Sequence, residues 1–130
     1  MSDYSRFILG FTVVFDSKAD NSPIASGESQ EKYVSWKPGR YQITTYKGEN
    51  SGLSDYQEKK YYSSEEYGDL FVTVFTEDGQ RVASDEGNFR PGQVNFWINK
   101  TTTLKIKVTR AGGTDKNKMH FWMSAMNDSI

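Results

Sequence analysis

Three short runs constrain this chain most: residues 69–76, 93–99 and 104–109. Each alternates apolar with polar residues or is rich in β-branched and aromatic side chains. Turns at Glu77-Asp78-Gly79-Gln80 and Arg90-Pro91-Gly92 separate them. A period of two with Gly/Pro punctuation predicts antiparallel strands, each with one face in a core. In the third run Leu104, Ile106 and Val108 take the core side, and Lys105 and Lys107 take the water side.

The rest of the chain extends this pattern. Residues 5–15 predict a first strand with Phe7, Leu9, Phe11, Val13 and Phe15 on one face and Ile8 and Val14 on the other. Residues 16–30 are polar, small and aperiodic, and predict a long loop. Residues 31–36 and 40–46 read as strands flanking Lys37-Pro38-Gly39, either a hairpin or a corner where the chain changes sheets. Residues 47–68 form a second long polar insertion, with a short helix weakly signalled over 54–61. A short strand at 81–84, a loop over 85–92, turns at 99–101 and 111–115, and a last strand at 118–126 complete the reading. In that last strand Met119, Phe121 and Met123 share one face, and His120, Trp122 and Ser124 the other.

The expected fold is all-β. It is one antiparallel, jelly-roll-like β-sandwich of seven or eight strands spanning residues 1–130, with long polar loops. A length of 130 residues suits one core. Only 35% of residues are hydrophobic, so eight tyrosines, eight phenylalanines and three tryptophans must supply much of the buried area. The longest apolar run, residues 7–15, falls far short of the roughly 20 needed to span a bilayer. Acidic Asp3 and Asp16 flank it and no small-residue cleavage site follows, so it reads as a buried strand and not as a signal peptide. The expected location is cytoplasmic, or extracellular if an export signal has been removed.

Residues 31–43, with their strand, Pro-Gly turn and Tyr41-x-Ile43 strand, resemble the bacterial pre-peptidase C-terminal domain family. So do residues 68–79, an aspartate-led strand and turn, and residues 104–108, a late strand before a glycine turn. The resemblance covers about two-thirds of the chain and implies a jelly-roll sandwich of the kind appended to secreted proteases. The insertion at 47–68 and the lack of an accompanying protease domain depart from that pattern.

Composition narrows the chemistry. Sixteen basic and seventeen acidic residues give a formal charge of -1, which argues against a general nucleic-acid binder. Without cysteine there are no disulfides and no thiolate metal sites. His120 is the sole histidine, and no Gly-x-Ser-x-Gly elbow exists. His120 therefore reads as a partly buried structural residue, and the carboxylate pairs Glu65-Glu66 and Asp85-Glu86 as solvated charge. The chain is expected not to be an enzyme.

Calcium is the ion the sequence best suits, because it takes hard oxygen ligands. Asp16, Asp20, Asn21 and Glu28 supply such oxygens in the first loop, with Glu31 beyond it. Two further acidic sets are Glu65, Glu66 and Asp69, and Asp78, Asp85 and Glu86. The family resemblance also implies calcium held by acidic residues near the N-terminal strand. Tyr56, Tyr61, Tyr62 and Tyr67 are the candidate ligand platform, since exposed rings stack on sugars or anchor protein interfaces. The competing reading folds two or three of them over the sandwich edge as a satellite cluster. The sequence thus points to a non-catalytic recognition module whose loops bind a glycan or a protein surface, assisted by calcium. The alternative is a self-assembling structural subunit of a fibre, virion or appendage, pairing as a homo-oligomer through sheet edges.

Overall fold

A computed structural model describes residues 10–48, 62–85 and 92–128. Ten elements follow in chain order: β1 (Phe11–Asp16), α1 (Ser17–Asp20), β2 (Ser29–Trp36), β3 (Gly39–Lys47), α2 (Ser64–Tyr67), β4 (Asp69–Thr76), β5 (Arg81–Ser84), β6 (Gln93–Ile98), β7 (Thr102–Ala111) and β8 (Phe121–Asp128). The strands form two four-stranded antiparallel sheets, a first sheet ordered β1-β8-β3-β6 and a second ordered β2-β7-β4-β5. That interleaving is the eight-stranded jelly roll of two Greek keys. The segment Lys37-Pro38 is therefore a corner between sheets, since β2 pairs with β7 while β3 pairs with β6 and β8.

The alternation read from the sequence packs as expected in β4, β6 and β7. Val72, Val74, Leu104, Ile106 and Val108 are fully buried, and Val94, Phe96 and Ile98 nearly so. Ile43, Phe121, Met123 and Ala125 of the first sheet meet them in the same core. At the corner the rings of Trp36 and Tyr41 stack at 4.6 Å, and Tyr41 lies 5.7 Å from Phe96, closing that end of the sandwich. The last strand begins later than expected, at Phe121, because Met119 makes only an isolated bridge to Ile24.

Two expectations need correction. Val13 and Phe15 do not share a face: Val13 is 46% exposed, while Val14 and Phe15 are both buried. A bulge between Val13 and Phe15 shifts the pairing with β8, and an extra residue in one strand inverts the parity beyond it. The Val14 carbonyl at the bulge accepts a hydrogen bond from Lys32 Nζ at 2.7 Å, and the same ammonium lies 5.1 Å from the Phe15 ring centroid. Nor is 16–30 all loop. Asp16 caps α1 by accepting from the Ala19 N–H, Asn21 ends it at φ 54, and Ile24 is fully buried. A four-residue helix is too short to show a period, so the sequence carried no signal for it. The same holds for α2, whose N-cap is Ser63. The expected strand residues 5–9, the helix over 54–61, Tyr56, Tyr61, Glu86, Arg90 and Pro91 lie outside the described residues.

Because the strands alternate in direction, the connections β1–β2, β3–β4, β5–β6 and β7–β8 emerge at one end of the sandwich. The three remaining connections turn at the other end. The described flanks of the long polar segments read from the sequence therefore share one end.

Candidate functional site

At that end the organiser is Arg110, the inward-facing residue of β7 opposite Leu70. Its side chain is fully buried and donates to four backbone carbonyls: Tyr67 (2.9 Å), Ile24 (2.9 Å), Asn117 (2.7 Å) and Asp115 (3.3 Å). These belong to the β1–β2, β3–β4 and β7–β8 connections, so one guanidinium ties three loops together. Lys47 adds a second tie, donating to the carbonyls of Tyr62 and Gly68 and pairing with Asp69 at 3.4 Å. Gly68 and Gly113 pass so closely that a Cβ on Gly113 would sit 2.5 Å from the Gly68 nitrogen, and both have positive φ.

The sequence-predicted residues take specific places on this end. Tyr62 and Tyr67 meet edge to face at 4.9 Å and pack, half-buried, against the core. They adopt the satellite-cluster arrangement and not that of rings standing in water. Asp16 is occupied as the α1 cap, and Glu28 Oε1 accepts from the Ala25 N–H and lies 3.9 Å from Lys118 Nζ. Asp69 Oδ1 accepts from Ser64 Oγ at 2.6 Å. Asp78 accepts from the Thr76 hydroxyl, which holds its carboxyl below the ordinary range. Among the described residues no three Asp, Glu or His side chains gather to hold a metal ion. Asp16, Asp20 and Glu28 are accordingly not gathered into one acidic cluster among the described residues.

His120 is tied to Ser17, whose Oγ lies 2.9 Å from His120 Nδ1 and accepts from the Phe121 N–H at 2.7 Å. Ser17 is fully buried. A hydroxyl sealed from solvent and engaged by a backbone donor anchors α1 to β8 and offers no nucleophile to a substrate.

Among the described residues, accessible side chains gather on the outer face of the first sheet. Register and alternation place Arg40, Gln42, Thr44 and Tyr46 of β3 there, beside Gln93, Asn95 and Trp97 of β6. Trp97 is 65% exposed, and the Arg40 guanidinium lies 5.3 Å from its ring centroid. Gln42 Nε2 donates to Asn95 Oδ1 at 3.2 Å, and Gln93 Nε2 to Thr44 Oγ1 at 3.3 Å. Tyr46 packs against Trp122 of β8 with centroids 6.0 Å apart. Beside this strip, toward β1, Val13 and Met126 are 46% and 41% exposed. The sequence reading passed over these residues, although their signal was present. In an alternating strand whose even positions are Val94, Phe96 and Ile98, a tryptophan at 97 must face outward.

No protein-family model matches the chain, and no curated protein matches it. Among the described residues no helix is long and apolar enough to cross a membrane. Among solved structures the chain is similar to the CUB1-EGF-CUB2 domain of human MASP-1/3, with 18% identity and a TM-score of 0.40. The match covers 93% of this chain and 42% of that one, so the chain spans less than half the length of the solved chain it resembles.

Proposed function

We propose that the protein is a non-catalytic recognition module that presents the outer face of its first sheet to a ligand. The observation that carries this reading is Trp97, a large ring left 65% exposed and steadied by Arg40. Tryptophan and arginine dominate the energetics of binding surfaces, because they offer rigid contact area and fixed donors. The loops at the Arg110 end stiffen the scaffold in this reading, and the sheet, more than the loops, makes the contact. Assembly through strand pairing is the weaker reading. Lys32 occupies an inward position on edge strand β2 and the β1 edge is bulged, both devices that discourage edge-to-edge pairing.

The test is an array of glycans and matrix proteins probed with the wild-type chain, Trp97→Ala and Tyr33→Ala. Tyr33 is equally open, at 60% exposure, but stands on the opposite sheet. Binding that Trp97→Ala loses and Tyr33→Ala keeps supports the reading. Equal binding by all three, or loss only with Tyr33→Ala, refutes it.

A further inference from the structure

We infer that the β3–β6 strip of the first sheet binds an extended neutral glycan, seated lengthwise between Trp97 and the Tyr46–Trp122 pair. This rests on the recognition reading and supplies its ligand chemistry. Arg40, opposite Trp97, and Tyr46 are six residues apart on β3, so the two aromatic ends stand about 20 Å apart at strand rise. Between them lie Gln42, Thr44, Gln93 and Asn95, with no ionised side chain.

A pyranose ring presents an apolar C–H face and a belt of hydroxyls, each both donor and acceptor. It is matched by a flat ring for the face and by amides and hydroxyls for the belt. The strip offers both. The Gln42–Asn95 and Gln93–Thr44 bonds each consume one donor and one acceptor site and orient the amide groups that remain. Side chains already held by their neighbours lose less freedom when a ligand arrives.

Charge and layout point the same way. An anionic ligand would find one cation on the strip, Arg40, and that one lies over Trp97. Protein interfaces put their apolar groups at the centre and polar groups at the rim. This strip is arranged in reverse, with rings at its ends and amides in the middle. The neighbouring Val13–Met126 patch is apolar and would be the centre of a protein contact.

The experiment is native electrophoresis through gels containing xylan, mixed-linkage β-glucan or galactomannan as neutral probes, and polygalacturonate as an acidic one. Wild type, Trp97→Ala, Gln42→Ala/Asn95→Ala and Tyr33→Ala are run together, with melting curves to establish that each is folded. The expected result is retardation of wild type and Tyr33→Ala by at least one neutral probe, with affinity weakened about tenfold or more in Trp97→Ala and in the double variant. Absence of retardation by every neutral probe, retardation by polygalacturonate alone, or retardation unchanged in Trp97→Ala would each overturn the inference. In a parallel arm, wild type and Val13→Ser/Met126→Ser are immobilised and exposed to candidate matrix proteins. Protein retained by wild type and lost by that variant, with no neutral probe effective, overturns the glycan assignment and leaves the recognition reading standing. Binding in neither arm overturns both.

Discussion

The two outer faces of this sandwich are built on the same alternation and dressed with different polar groups. On the second sheet, β7 sends Thr103, Lys105, Lys107 and Thr109 outward between β2 and β4. Lys105 lies 5.1 Å over the Phe75 ring and 3.7 Å from Glu31, and Ser29 and Thr109 share a hydrogen bond at 2.8 Å. The Lys105 ammonium thus lies over an apolar ring while it pairs with Glu31, and charge and hydroxyls dress this surface. On the first sheet the corresponding positions are Gln42, Thr44, Asn95 and Trp97, amides where the second sheet has lysines, while each face keeps one open ring, Trp97 here and Tyr33 there. Both inner faces meet in one core. Folding therefore constrains one side of every strand and leaves the other to be chosen, and the choice differs between the sheets.

The comparison is sharpened first on the inside, where the two sheets should prove equivalent. Ile43 of β3 and Ile106 of β7 are both fully buried. Replacing either with alanine is expected to lower stability by about 2–5 kcal/mol, read by urea unfolding. If one costs far less than the other, the sheets do not share a single core. A charged residue in this interior, Arg110, comes next. Arg110→Met should cost roughly 3 kcal/mol, because the carbonyls of three loops lose their common donor. Hydrogen exchange should rise in residues 22–28, 64–68 and 112–119 and stay unchanged at the opposite end. Exchange that rises evenly over the whole chain would deny Arg110 its role as a loop tie.

Tyr41, on the inner side of β3, gives a test in pH. Burial raises its hydroxyl pKa above the ordinary 10.0, an effect that its bond to Asn127 only partly opposes. The unfolded chain releases this proton first, so the contribution is intact below about pH 10 and declines as pH rises above it. Tyr41→Phe removes the titration together with the hydrogen bond to the Lys37 carbonyl. Its urea midpoint should start lower at pH 8 and fall less steeply than wild type toward pH 11. Parallel decline of the two proteins would show that Tyr41 titrates as it does when unfolded.

The smallest effect belongs to the outside. Lys105→Ala should cost at most about 1 kcal/mol, less in high salt, and Asn95→Ala about 0.5 kcal/mol or less. Both faces would then be shown to be dispensable for folding. A large loss from Asn95→Ala would instead make the amide pairs part of the scaffold and weaken their reading as ligand contacts.

Much of this could be read in advance. Residues 69–76 and 81–84 became β4 and β5 with the expected bounds, and the core parity of Leu104, Ile106 and Val108 was visible because a period of two is a local property. The choice between hairpin and corner at Pro38 stayed open, since it depends on which distant strand each partner meets. The β1 bulge was hidden for a similar reason. Nothing in residues 11–16 marks it, and its freed carbonyl finds Lys32 only after the sheets close. The tyrosines of the insertion drew attention as polar-segment aromatics, yet Tyr62 and Tyr67 fold onto the core. Meanwhile the open ring of Trp97 sat inside a strand that had been read only for its buried side.

By itself, then, the sequence determined the strand-forming segments, the buried side of most of them and the layered class of the fold. Short-range sterics and hydrophobic alternation settle those within a few residues of chain. The tertiary structure alone decided which strands became neighbours. It buried Arg110 among the carbonyls of three loops and set Arg40 of β3 against Trp97 of β6. Cross-strand register is fixed by packing between segments far apart in the chain, so no local pattern can announce which outward residues will stand side by side.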